Sequence, residues 1–163
     1  AHIDDELKNQ WYEMVAESLS QLDTQGVEIV PQTVPPFPWY FGGQLYLNLF
    51  VQPEDTIRFC KHYGYRVCLD ISHSKLASTY FNCSFKEFID LVGPYTAHLH
   101  IVDAKGVDGE GIQIGEGEID FLAIADSLER TCPKSSFIPE IWQGHKNDGE
   151  GFWIALERLE KWF

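Results

Sequence analysis

The spacing of apolar residues divides the chain into alternating helical and extended segments. Leu7, Trp11, Met14, Val15, Leu19 and Leu22 recur at three- and four-residue steps and predict an amphipathic helix from about Asp4 to Asp23, stopped by Gly26. Val27–Val30 then reads as a strand. Residues 31–50 form a long connection rich in proline, glycine and aromatics, and such a loop in a small domain is more often functional than not. A short helix follows, with Pro53 in its first turn and Gly64 after its end. Val67–Ile71 is the second strand. Ser84 and Glu87 make a capping box for a helix reaching Val92, which Gly93-Pro94 ends. Ala97–Val102 is the third strand. A glycine-rich loop over 106–117 leads to Asp120, the cap of a helix over Phe121–Arg130. Phe137–Trp142 is the fourth strand, and a second glycine-rich loop precedes a terminal helix around Phe152–Trp162.

An opening helix followed by four strand–helix units predicts an α/β fold of parallel strands with helices packed outside them. No linker divides the chain, so residues 1–163 read as a single domain, long enough to bury a core.

Each strand-like segment carries one potential metal ligand at or near its C-terminal end: Gln32, Asp70, His100 and Glu140. Side chains alternate between the faces of a strand, so all four can point at one centre if the strands are parallel neighbours. Oxygen and imidazole donors from separate strands suit a divalent cation with open positions, which makes a small-molecule metalloenzyme the leading reading. Glu140 has the strongest case, because a carboxylate inside the apolar run Phe-Ile-Pro-Glu-Ile-Trp is costly to bury without a charged partner. Asp70 on its own would serve equally as a turn cap. His98, two residues before His100, reads as a hydrogen-bonded core histidine. His73 lies just past a strand, poised over the metal or simply at the surface. Asp103 either orients His100 or a loop lysine, or caps a turn. Trp39, Tyr40 and Phe41 cover a sugar-sized pocket, plug the mouth of the fold or meet a partner chain. His145 and Lys146 face an anionic substrate group or solvent.

Charge narrows the partners. Twelve basic residues against 25 acidic ones give a formal charge of -13, which argues against nucleic acid. Cys60, Cys68, Cys83 and Cys132 form no C-x-x-C pair and read as reduced structural thiols in strand or helix interiors of a cytoplasmic protein. No apolar run approaches the roughly 18 residues of a membrane span, and the acidic start Ala1-His-Ile-Asp-Asp-Glu6 lacks the character of a signal peptide.

At Leu69-Asp-Ile-Ser-His73, His98-Leu-His-Ile-Val-Asp103, Gly115-Glu-Gly-Glu-Ile-Asp120 and Pro139-Glu140 the chain resembles the xylose isomerase-like TIM-barrel superfamily of sugar isomerases, ketose 3-epimerases, sugar-phosphate isomerase/epimerase proteins and the endonuclease IV group. The resemblance spans about residues 24–163 and corresponds to the last four strands of an eight-stranded barrel. A full barrel takes about 250 residues, so the fold class implied is a half or partial (β/α)8 barrel. Its partner would be a missing N-terminal half or another copy of the chain. The resemblance implies metal ligands at Asp70, His100, Glu140 and the first-strand position, with His73 beside a carbohydrate substrate. It further implies a divalent ion (Mn²⁺, Mg²⁺, Zn²⁺ or Co²⁺) and proton transfer through an enediolate, with Glu140 as base.

The first-strand position departs from the pattern. These families usually place Glu there, whereas the best register here gives Gln32, with Glu28 on the same face but deeper. Gln binds a cation through its carbonyl but is no general base. A one-base isomerase, a different reaction and a lost activity all remain open. So does a non-catalytic binding or assembly module, within a larger protein like the sialic-acid synthases, whose fused modules the segment His100–Asp120 also resembles. The extra ligands of the endonuclease IV branch fall at Gly109 and Gly111 and are missing, which ranks a DNA-repair nuclease last.

Overall fold

The computed structural model describes residues 2–40 and 42–162, Tyr40 by its backbone alone. Asp4 accepts a hydrogen bond from the Leu7 N–H at 2.8 Å and starts helix α1, Asp5–Ser20. Tyr12 and Ala16 turn inward from α1 against Phe50 and Phe59, and the Tyr12 hydroxyl accepts from the Phe50 N–H at 2.7 Å.

The strand expected at Val27–Val30 is displaced. Residues 27–30 form no helix or strand, and parallel pairing is confined to Gln32 opposite Cys68. The Thr33 N–H donates to the Cys68 carbonyl at 3.0 Å, and the Cys68 N–H to that of Pro31 at 2.8 Å. Pro31 and Pro35, two residues either side of the Thr33 donor, supply no N–H, so the ladder stops at this one pairing. Within the long connection a small antiparallel ribbon forms between β1, Trp39–Tyr40, and β2, Gly43–Gln44.

Helix α2 spans Pro53–Tyr63 and ends at Gly64 in the left-handed region. Strand β3, Val67–Asp70, passes directly into helix α3, Ile71–Phe81, which the sequence pattern did not predict. Helix α4, Phe85–Val92, has Ser84 as its cap, as expected. Strand β4, Thr96–Ile101, is followed by a hairpin of β5, Asp103–Lys105, and β6, Gly109–Ile112, inside the glycine-rich loop. Helix α5, Phe121–Thr131, is capped by Asp120. Strand β7, Ser136–Pro139, and helix α6, Lys146–Leu159, close the chain; Asn147, Asp148 and Gly149 are left-handed and kink the start of α6.

β3, β4 and β7 form one parallel sheet in that order, with Asp70 opposite His100 and His100 opposite Ile138. The odd-numbered Val67, Leu69, Leu99 and Ile101 are buried in the core with Leu76, Phe88, Ile89, Phe121 and Leu128 from the helices. Alternation therefore sends Cys68, Asp70, His98 and His100 to the opposite face. Parallel strands backed by helices on one side make the α/β, partial-barrel architecture that was expected.

The fourth strand stops three residues short of its predicted end: the Glu140 N–H still donates to the Ile101 carbonyl at 3.3 Å, and the chain then turns from Ile141 to Gly144. β7 is an edge strand among the described residues, and its Phe137 and Ile138 are 46% and 44% exposed. Among the described residues, no helix is long and apolar enough to cross a membrane.

Candidate metal centre and its cavity

Asp70 ends β3 and caps α3 in one step: its Oδ1 accepts the His73 N–H at 2.9 Å. Its Oδ2 stays on the inner face, 2.9 Å from Gln32 Nε2, 3.3 Å from His73 Nδ1 and 3.5 Å from His100 Nδ1. Glu140 reaches His100 Nδ1 from the end of β7 at 2.7 Å. The potential ligand atoms of Asp70, His100 and Glu140 all lie within 4.8 Å of one another. Gln32 joins the cluster through its amide nitrogen, also 3.1 Å from His100 Nδ1. A ligand role for Gln32 requires the amide to turn over and present its carbonyl oxygen.

The cluster draws positive charge. His100 has its pKa pushed up to about 12, first by Asp70, then by the Cys68 thiol and Glu140, against the effect of burial. Glu140 is the nearer carboxylate, but water screens it, whereas Asp70 is shut away from solvent. For His73, burial alone would disfavour the proton. The Glu110 carboxylate, Asp70 and the Thr33 carbonyl outweigh it, and the pKa rises. His73 Nδ1 faces the Thr33 carbonyl oxygen at 2.9 Å, and Nε2 faces Glu110 Oε2 at 3.1 Å. Both partners are acceptors, so both ring nitrogens donate.

A cavity of about 600 Å³ opens beside the cluster. Asp70, Ser72, His73, Glu110, Glu140 and Trp142 are on its wall, with His145 and Lys146 at the start of α6. Ser72 is buried, and its hydroxyl has no hydrogen-bond partner among the described residues.

The remaining sequence-selected residues sort clearly. Asp103 does not orient His100. It is buried and caps turns, accepting from the N–H groups of Ala104, Gly115, Gly117 and Ile119 at 2.8–3.0 Å. Gly117 is required there, since a Cβ would sit 2.3 Å from Asp103 Oδ1. Glu28 is drawn off into an exposed pair with Arg66. His98 is half-buried and meets the Ser136 hydroxyl at 2.8 Å. Trp39 is 67% exposed on the β1–β2 ribbon and is not among the residues lining the cavity. Phe41 and the Tyr40 side chain lie outside the described residues. Lys146 Nζ donates to Gln143 Oε1 at 2.8 Å. All four cysteines are free, but Cys83 is exposed rather than interior.

Two expectations change. Glu140 is not buried in a strand: it lies just past β7 with its side chain 51% exposed, so burial cost is no argument for its role, and its contact with His100 is. Glu110 and Trp142 were missed. Glu110 has glycine on both sides and shows no apolar pattern to mark a strand.

The sequence profile of the xylose isomerase-like TIM barrel family matches residues 2–162. The chain belongs to that family. Three solved structures share its fold. A D-tagatose 3-epimerase-like protein has a TM-score of 0.66 at 20% identity, over 99% of this chain and 61% of that one. An L-ribulose 3-epimerase has 0.65 at 15% identity, over 99% and 55%. D-psicose 3-epimerase of Clostridium cellulolyticum H10, solved with D-tagatose, has 0.62 at 18% identity, over 98% and 56%. A curated relative, "Uncharacterized protein MJ1311" of Methanocaldococcus jannaschii, is 24% identical over 121 residues, 72% of this chain and 38% of that protein. The chain thus spans a little over half the length of these structures and less of the curated relative.

Proposed function

We propose that the chain is the metal-holding part of a sugar or sugar-phosphate isomerase/epimerase that moves a proton at the carbon beside a carbonyl. One observation carries the reading: the ligand atoms of Asp70, His100 and Glu140 converge within 4.8 Å, and Asp70 and Glu140 line a cavity of the size that small-molecule sites have. A carboxylate–imidazole–carboxylate set fits Mn²⁺, Mg²⁺, Zn²⁺ or Co²⁺, with Gln32 as a fourth oxygen donor once its amide turns. When bound, such an ion draws electron density from a substrate carbonyl and its neighbouring hydroxyl, which favours the enediolate.

The side chains do the rest. Glu140 turns one oxygen toward the cluster, where it would hold the ion beside His100, and takes the C–H proton with the other. His73 presents a positive charge to the developing oxyanion. His145 and Lys146, on the same wall, receive an anionic substituent of the sugar. We read residues 1–163 as one domain, the C-terminal four units of a barrel completed by an N-terminal half or a second copy, and place it in the cytoplasm, where its thiols stay reduced. A non-catalytic binding module is the second reading because Gln32 supplies no carboxylate. The cluster with its adjoining cavity favours the first.

The test uses chelator-treated protein reloaded with each metal and incubated in deuterated water with a panel of ketoses and ketose phosphates. Metal-dependent loss of a substrate C–H signal is expected. Tight metal binding with no exchange on any member would reject the enzymatic reading in favour of the binding module.

A further inference from the structure

The site lacks one group that its chemistry asks for. Inverting a carbon needs a proton acceptor on one face and a proton donor on the other, and Gln32 offers neither. A third carboxylate nevertheless lines the cavity, Glu110, contributed by the β5–β6 hairpin rather than by a strand of the parallel sheet. Glu140 contacts His100 Nδ1, and Glu110 contacts His73 Nε2. Asp70 and Gln32 lie between the two histidines. The carboxylates therefore stand at opposite ends of one hydrogen-bonded row.

The hairpin is built to hold Glu110 there. Asp103 ties the base of the hairpin to the following loop through the backbone amides of Gly115, Gly117 and Ile119. Gln44 Nε2 donates to Asp108 Oδ2 at its tip at 3.0 Å. On the far side of Glu110 the Trp142 N–H donates to the Gly111 carbonyl at 2.9 Å. Gly111 has φ +74°, and a Cβ there would sit 3.0 Å from that of Trp142, so only glycine lets the hairpin seat this closely. His73, with both nitrogens donating, cannot act as a base while so paired; it positions Glu110 by one oxygen and leaves the other for substrate.

Resting on the function proposed above, we propose that Glu110 is the second proton-transfer group of the site, opposite Glu140, and that the reaction is therefore an epimerisation. Glu110 as carboxylate removes the proton from the substrate carbon. The C–H electron pair becomes the C=C bond of the enediolate, and the carbonyl π pair moves onto oxygen. Glu140, protonated, returns a proton to the other face, and the electrons move back to restore C=O and a C–H bond of opposite hand. Glu110 ends protonated and Glu140 ionised. Running the same steps in reverse uses the roles exchanged, and proton exchange with water resets the pair.

Two measurements on metal-loaded wild type, Glu110→Gln and Glu110→Asp test this. One is deuterium exchange and inversion of the ketose that the wild type turns over; the other is binding of an aldonohydroxamate, a planar mimic of the enediolate. Glu110→Gln is expected to lose inversion by on the order of 10²-fold or more and to keep exchange with retention through Glu140, at unchanged metal affinity. Hydroxamate binding weakens about tenfold, as for a lost hydrogen bond to a charged group, and Glu110→Asp recovers part of both. Inversion and hydroxamate affinity within a few-fold of wild type in Glu110→Gln overturn the assignment and leave the proposed function standing. Equal loss of exchange with retention and with inversion also overturns it, by reducing Glu110 to a prop. A wild type that neither exchanges nor binds the hydroxamate removes the proposed function and this role together.

Discussion

Asp70 and Asp103 are both 0% exposed, and they solve the cost of burial in opposite ways. Asp103 satisfies its oxygens with backbone amides of its own hairpin and the loop after it. These partners belong to the fold and leave nothing to exchange. Asp70 has one backbone partner, and its second oxygen meets only side chains, Gln32, His73 and His100, on a cavity wall. A carboxylate held by fixed amides is architecture. One whose neighbours are titratable or able to turn over is a place where a cation can be taken up.

Removing each carboxylate tests that distinction. The largest effect is expected at Asp103→Ala, which strands four amides, those of Ala104 and Ile119 buried and those of Gly115 and Gly117 partly so, and costs about 3 kcal/mol of stability, at roughly 1 kcal/mol or more per buried unsatisfied group and less for the others. Urea denaturation of the metal-free protein measures it, and a loss under 1 kcal/mol would break the contrast. Asp70→Asn keeps a good helix cap but removes the charge that holds the His100 proton, so stability should fall by less than at Asp103. Divalent-metal affinity in a chelator-competition titration should instead fall about 100-fold, near 2.7 kcal/mol. A large fall in stability with intact metal binding would reverse the roles. The smallest effect belongs to a carboxylate of neither kind. Asp90, near the surface, has its pKa lowered to about 2 by Lys86, Ser127 and Arg130, against a small burial effect. Its folded pKa lies below its unfolded value, so its contribution is complete above about pH 4 and disappears as pH falls toward 2. Asp90→Asn should flatten the acid limb of a stability–pH curve slightly, and salt should shrink the difference because the group is screened.

Much of the scaffold is legible because single residues govern it. Asp120 and Ser84 announce their helices by chemistry any cap must have, and the alternation through Cys68–Asp70 and His98–His100 is enough to bring two strand ends to one face. The misses have physical causes. Helix α3 follows β3 without a loop, and its Ser72, Ser74 and Ser78 are buried. Serine reads as polar in a periodicity count yet packs here as a small core residue. Val27–Val30 has the apolar content of a strand, but the prolines after it withdraw the donors a ladder needs. Glu140 was selected for a burial it does not have. Glu110 was passed over because the glycines beside it read as loop, although Gly111 permits the hairpin's approach to Trp142 and Gly109 its closeness to the Lys105 carbonyl.

The double duty of Asp70 has an entropic consequence. Because one oxygen begins a helix, the side-chain torsions are frozen before anything reaches the cavity, and the other oxygen is aimed in advance. An unrestrained carboxylate would surrender rotamer freedom at the moment of coordination, on the order of 1 kcal/mol. Here that loss was incurred during folding, in exchange for a helix start, so an ion taken up at the proposed site would meet a pre-set donor, its affinity not reduced by the ordering.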